Sequence, residues 1–92
     1  MTVLQTGRFK KAYKRLHQNQ LADANDAIGA IIENPEIGER KTGDLSWLRV
    51  HKFKMLDQLT LLGYRVDDNG ELTLTFVAVG PHENFYRDLK KG

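Results

Sequence analysis

The apolar residues of this chain repeat with two different periods, and the change between them near residue 47 restricts the folds it can adopt. In the first third they recur three and four positions apart, which is the spacing of one buried helical stripe. The two stripes are Phe9, Ala12, Tyr13 and Leu16, and then Leu21, Ala24, Ile28, Ile31 and Ile32. Beyond residue 47 the apolar residues recur at every second position, as along a half-buried strand. The chain therefore predicts an antiparallel helical hairpin followed by strands.

Capping, turn and proline signals set the remaining boundaries. Val3–Thr6 is short and partly β-branched, and we predict a first strand whose Thr6 caps the following helix. Asn34-Pro35 ends the second helix, because the residue before a proline is disfavoured in the helical region. We next predict a polar loop over residues 36–46. Three strands follow, over residues 48–54, 59–66 and 71–79, with Asn69-Gly70 as the hairpin turn between the last two. A short helix over residues 82–91 ends the chain.

The predicted order β-α-α-β-β-β-α describes an α+β fold in which residues 1–92 form one domain. We expect the helical hairpin to pack on a mostly antiparallel four-stranded sheet that includes the N-terminal strand. In the last strand we expect Leu72, Leu74, Phe76 and Ala78 to share one face.

The formal net charge is only +2, but the charged residues form blocks. Residues 1–20 carry five basic residues and no acid, residues 21–39 carry five acids and no base, and residues 40–65 carry six bases against two acids. Such blocks can make one face of a small domain positive. Alternatively, their charged side chains are simply solvated on separate faces of the domain. Cysteine is absent, which excludes disulfides and thiolate metal sites. There is no long apolar run, so we expect a cytoplasmic protein that does not enter a membrane.

The candidates for chemistry are few. No phosphate-binding glycine loop, dinucleotide fingerprint or zinc-binding histidine pair is present, so we expect no metal and no cofactor. Lys52 and Lys54 lie two positions apart on a predicted strand, and they therefore project from one face about 6.5–7 Å apart. His82 follows the Gly80-Pro81 break, and Tyr86 comes one helical turn later.

These residue types suit the cleavage of RNA by its own 2′-hydroxyl. That reaction needs proton transfer, which histidine performs near neutral pH, and it needs stabilisation of the charge on the phosphorane, which lysines provide. Alternatively, Lys52 and Lys54 are solvated strand residues and His82 caps the last helix.

Three segments resemble one known family. Val50–Lys54 resembles a strand that carries a Lys-x-Lys pair, and Leu61–Asp68 resembles the following strand with its acidic turn. Val77–Tyr86 resembles a Gly-x-His-x-x-x-aromatic ending. These are features of RelE/ParE toxins from type II toxin–antitoxin systems, and the ending is that of the YafQ-like branch.

The resemblance implies a metal-independent endoribonuclease that cuts mRNA in the ribosomal A site, stops translation, and leaves 2′,3′-cyclic phosphate and 5′-hydroxyl ends. It assigns His82 as the catalytic histidine and Tyr86 as a catalytic or mRNA-packing aromatic residue. The resemblance assigns Lys52 and Lys54 as the pair that stabilises the phosphate, and Arg65 as a fifth catalytic residue. We further expect contacts with RNA from Arg49, His51, Lys90 and Lys91.

The chain departs from the family pattern in two ways. RelE proper has an arginine where this chain, aligned without gaps, has Leu61, and His51 and Asp57 are poor matches for the histidine and aspartate residues in the middle strands of the YafQ-like branch. Either Arg65 or Arg49 substitutes in the catalytic set, or catalysis is weak. The departure at Leu61 favours two alternatives: a ParE-like toxin that inhibits DNA gyrase without nuclease activity, or a module that only binds the antitoxin and helps it to repress their operon. The resemblance implies a cognate antitoxin in each case, with operator DNA contacted only through it. Under the nuclease hypothesis, the ribosome and mRNA are further partners.

Overall fold

A computed structural model describes residues 1–90. In chain order, its strands and α-helices are β1 Thr2–Gln5, α1 Gly7–Lys14, α2 Gln18–Glu33, β2 Glu39–Arg40, β3 Arg49–Met55, β4 Gln58–Asp68, β5 Leu72–Pro81 and α3 His82–Lys90. The sheet order is β1-β5-β4-β3-β2, with β1 parallel to β5 and the other neighbours antiparallel. This confirms the α+β fold, with one strand more than predicted. Within the described residues, no helix is long and apolar enough to span a membrane.

The additional strand, β2, lies in the segment predicted to be a loop. Its two residues pair with the start of β3, Glu39 with Val50 and Arg40 with Arg49. Both β2 residues are charged and exposed, so they show no alternation of apolar and polar side chains. A two-residue edge strand of this kind leaves no periodic signal in the sequence.

The helical hairpin packs on one face of the sheet, which we call the inner face. As predicted, Thr6 caps α1, because its hydroxyl oxygen accepts a hydrogen bond from the Phe9 amide at 3.1 Å. Ile32 was expected to face inward, and this is wrong: it is 37% exposed. Each helical residue is rotated by about 100° from the previous one, and its neighbour Ile31 takes the buried position. The inner core consists of Phe9, Ala27, Ile31, Leu62, Tyr64, Leu74 and Phe76.

A β-bulge in β5 changes which residues share a face. Tyr64 pairs with Phe76 and Gly63 pairs with Ala78, so Val77 is an extra residue on the β5 side. Leu74 and Phe76 therefore belong to the inner core, whereas Ala78 packs on the other side of the sheet. The prediction of one continuous face from Leu72 to Ala78 is wrong, since a bulge shifts the alternation of side chains by one position.

The C-terminal helix α3 covers part of the opposite face, which we call the outer face. Its Phe85 is buried in a second core with Leu48, Val50, Leu61 and Ala78. β5 runs directly into α3, so the orientation of this helix is tied to the end of the strand.

Candidate active site

The two lysines of the Lys-x-Lys pair lie on the outer face, on β3. Lys52 pairs with Leu61 and Lys54 pairs with Leu59 on β4. Paired residues of neighbouring strands share a face of the sheet, and Leu61 belongs to the outer core. Both lysines are exposed. This face therefore presents two solvated ammonium groups beside the part that α3 covers.

His82 lies at the end of β5, level with Lys54, and Lys52 is level with Gly80, two residues earlier. Thr60 pairs with Pro81, so the position after Pro81 is level with Leu59 and Lys54. That position is His82, where α3 begins, and it is exposed. Because neighbouring strands are about 4.8 Å apart, two steps across the sheet separate the backbones of Lys54 and His82 by about 10 Å. Side chains that extend from both sides can hold a phosphate in a gap of this width.

Tyr86 is connected to the lysine side of the face through Lys41 and through Glu39 of β2. The Lys41 ammonium nitrogen lies 5.5 Å from the centre of the Tyr86 ring and 3.0 Å from a Glu39 carboxylate oxygen. The pKa of Lys41 is raised mainly by its contact with Tyr86 and next by its hydrogen bond with Glu39. The pKa of Glu39 is lowered by its hydrogen bond from Lys41 and by the charges of Lys41 and Lys52. Lys41 is thus a third cation on this side of the site.

Lys41 was not among the residues expected at the site. It lies in a polar segment after β2, where no periodicity predicts which side chains face the sheet. A basic residue next to a glycine-containing loop is too common to stand out. Its position becomes visible only when α3 folds back over the sheet and brings Tyr86 to it.

Leu61 has a packing role here. It is completely buried beneath α3, in the outer core with Phe85. An arginine at this position would have to place its charged group in an apolar cluster, which is costly. Leu61 therefore supplies packing and no charge, and the cations beside it come from β3 and from Lys41.

Arg65 lies away from this group of residues. It is four positions beyond Leu61 on β4, a distance of about 13 Å along a strand. Its guanidinium forms two hydrogen bonds with the Asp67 carboxylate, at 3.1 and 3.2 Å. It lines a separate groove with Trp47, Thr73 and other residues. The structure thus brings together Lys52, Lys54, His82 and Tyr86, but not Arg65.

Two of the residues expected to bind RNA are on the inner face. Arg49 pairs with Tyr64 and His51 pairs with Leu62, which both belong to the inner core. Arg49 donates a hydrogen bond to the Gly38 carbonyl oxygen at 3.0 Å. Lys90 is exposed at the end of α3, and Lys91 lies outside the described residues.

Comparisons with known proteins agree with this architecture. A family model described as "ParE-like toxin of type II bacterial toxin-antitoxin system" matches residues 3–90. No curated protein is similar enough in sequence to match the chain.

Solved structures of an Escherichia coli toxin have a similar fold. The RelBE toxin–antitoxin complex matches with a TM-score of 0.68 and 19% identity, over 87% of this chain and 94% of the other. The isolated RelE toxin matches with a TM-score of 0.67 and 18% identity, over 98% and 95%. A RelE double mutant in the free state matches with a TM-score of 0.66 and 20% identity, over 89% and 83%.

Proposed function

This chain belongs to the ParE-like toxins of type II bacterial toxin–antitoxin systems, and we propose that it is an endoribonuclease that cuts mRNA on the ribosome without a metal ion. The observation that carries the proposal is the common position of Lys52, Lys54 and His82 at one end of the outer face. The similarity of fold to the RelE toxin supports it. Its place of action is the cytoplasm, where translation occurs.

In the proposed reaction, the RNA supplies its own nucleophile. The 2′-hydroxyl attacks the adjacent phosphorus, and the bond to the 5′-oxygen of the next nucleotide breaks. The 2′-hydroxyl loses a proton and the leaving 5′-oxygen gains one; His82 transfers one of these two protons and water exchanges the other. Lys52 and Lys54 stabilise the negative charge that develops on the phosphate oxygens. Tyr86 packs against a base, with Lys41 on its ring. The products are a 2′,3′-cyclic phosphate and a 5′-hydroxyl.

Inhibition of DNA gyrase is a second candidate function. It is favoured by Leu61, which is buried under α3 and leaves the face without the arginine of RelE proper. The two functions differ in what fails first when the chain is induced without an antitoxin. The nuclease stops translation and creates new mRNA ends that carry 5′-hydroxyls. A gyrase inhibitor changes plasmid supercoiling while mRNA ends stay as they were, and this result would reject the nuclease.

We also propose a cognate antitoxin as partner, because RelE is found in complex with its antitoxin in the similar RelBE structure. Exposed apolar side chains on the edge strand β1, Val3 and Leu4, offer surface for such a partner. The basic block of α1 offers charge for it to neutralise. Operator DNA would be contacted only through the antitoxin. Co-expression with the adjacent reading frame should abolish toxicity and yield a complex, and the absence of both would reject this partner.

A further inference from the structure

Like charges crowd the surface of α1, although Lys11 and Lys14 in its last turn favour the helix dipole. Its charged residues are Arg8, Lys10, Lys11 and Lys14, Arg15 is its C-cap, and residues 1–20 contain no Asp or Glu. Like charges three and four positions apart repel each other on a helix surface, and basic residues in the first turn oppose the helix dipole. Within residues 1–90, none of these five cations forms an ion pair with a carboxylate. An arrangement of this kind is expected where the helix meets a polyanion.

Three of these cations line a groove of about 610 Å³ between α1 and α3. Its α1 wall contains Arg8, Lys11 and Arg15, and its α3 wall contains Asp88 as its one carboxylate. Arg8 reaches across and donates a hydrogen bond to the Asp88 main-chain oxygen at 2.8 Å. The groove follows β5 beyond the segment that pairs with β1. Its charge is positive, and the three cations are spaced along it by about 4.5 and 6 Å of helical rise.

The groove leads to the proposed site of cleavage. Val79, Gly80 and Pro81 form part of its lining, and the residue after Pro81 is His82. A polyanion that lies along α1 therefore continues directly towards His82. The occupant of the groove must therefore carry a run of negative charges and must also reach the site of cleavage. RNA meets both conditions, because it supplies a continuous run of phosphates and also the scissile bond. An acidic protein segment would satisfy only the first.

We propose that this groove binds the phosphate backbone of the single-stranded RNA that flanks the scissile bond, with Lys11 and Arg15 as the principal contacts. The inference rests on the proposed ribonuclease function and extends its substrate site from His82 onto α1. It gives the N-terminal basic block a role in substrate binding, in addition to the contact with the antitoxin proposed above.

Binding of a short 2′-O-methyl RNA, measured by fluorescence anisotropy over a series of salt concentrations, tests the proposal. The methyl group blocks the nucleophile, so binding is measured without cleavage. Each lost phosphate contact on a single strand reduces the slope of log affinity against log salt by about 0.7. Lys11→Gln and Arg15→Gln should each show this reduction. Arg40→Gln, which removes one exposed cation at the opposite edge of the sheet, should keep the wild-type slope.

His82→Ala separates this proposal from the proposed function, since it should bind the methylated RNA as wild type does. If mRNA on the ribosome is never cleaved but the two α1 variants still lose slope, the groove proposal stands and the nuclease falls. The groove proposal is overturned if the methylated RNA does not bind, or if Lys11→Gln and Arg15→Gln behave like Arg40→Gln. It is equally overturned if these variants weaken only a complex with the antitoxin. Lys11 lies in the last turn of α1 and Arg15 is its C-cap, where cations favour the helix dipole. Loss of this interaction offsets the relief of like-charge repulsion, so both variants should unfold near the wild-type temperature, and thermal unfolding would reveal a folding defect.

Discussion

The ring of Phe85 lies against the backbone of Gly63, so closely that a Cβ atom at position 63 would be 2.8 Å from the ring carbon Cζ. This contact holds α3 on β4 within the outer core. Because α3 begins at His82 and carries Tyr86, the contact also determines where both residues lie relative to the lysines of β3. A glycine on a central strand is therefore part of the support of the proposed active site.

Gly63→Ala should displace α3 and cost about 1–3 kcal/mol of unfolding free energy, the usual cost of overpacking a core. Cleavage of mRNA should fall with it, because His82 and Tyr86 move with the helix. Gly29→Ala is the matched control. No atom lies within 4 Å of the Cβ added there, and it should stabilise α2 by about 0.5–1 kcal/mol. Urea denaturation measures both, and a Gly63→Ala protein as stable as wild type would contradict the packing described.

The Tyr64 hydroxyl ties the segment after α2 to the sheet. It accepts a hydrogen bond from the Gly38 amide at 2.8 Å and donates one to the Pro35 carbonyl at 2.7 Å. Tyr64→Phe leaves both groups without their partner in a buried place, and we expect a loss of about 1–3 kcal/mol. Tyr13→Phe removes an exposed hydrogen bond to Asn25 and should cost less. Equal losses in the two variants, measured by thermal unfolding, would reject this role of Tyr64.

His51 should make the stability of the protein depend on pH. Burial lowers the pKa of His51, so the unfolded chain binds this proton more readily than the folded one. Its contribution to stability is complete above the unfolded pKa of about 6.5 and is lost as the pH falls through the lower folded value. Unfolding free energies at pH 7.5 and 5.5 should therefore differ less in His51→Gln than in wild type. An unchanged difference would show that His51 is not responsible.

The helical part of the fold could be predicted because its signals are local. Thr6 caps α1 and Pro35 ends α2 through the backbone geometry of their own neighbours, which no distant contact overrides. The Lys-x-Lys pair could be placed on one face for the same reason, since alternation along a strand needs no knowledge of the partner strand.

What could not be predicted depends on register between distant segments. The bulge at Val77 arises from the pairing of β4 with β5, and it moves Ala78 to the outer face. Arg65 has a suitable residue type and strand for the site, but its distance from Lys52 follows from where β3 and β4 pair. Lys41 enters the site only through its contact with Tyr86 on the last helix.

The turn between β3 and β4 stores strain that can be removed. Leu56 and Asp57 both have positive φ, 51° and 66°, a region that is unfavourable for leucine. Asp23 of α2 accepts a hydrogen bond from the Leu56 amide at 3.1 Å. Replacement by Asn-Gly, the preferred pair for a two-residue turn of this type, should stabilise the protein by about 1 kcal/mol. The change is read from the midpoint of thermal unfolding, and a lower midpoint would contradict the strain.

His82→Ala tests the central claim most directly, with mRNA 5′ ends mapped after induction in cells that lack the antitoxin. His82 is exposed at the start of α3, so its loss should leave the fold intact. If it transfers a proton, cleavage should fall by about 10²–10⁴-fold, and toxicity should fall with it. His17→Ala, an exposed histidine before α2, serves as the control and should cut as wild type does. A folded His82→Ala protein that remains fully toxic and yields the same cleavage ends would contradict the account.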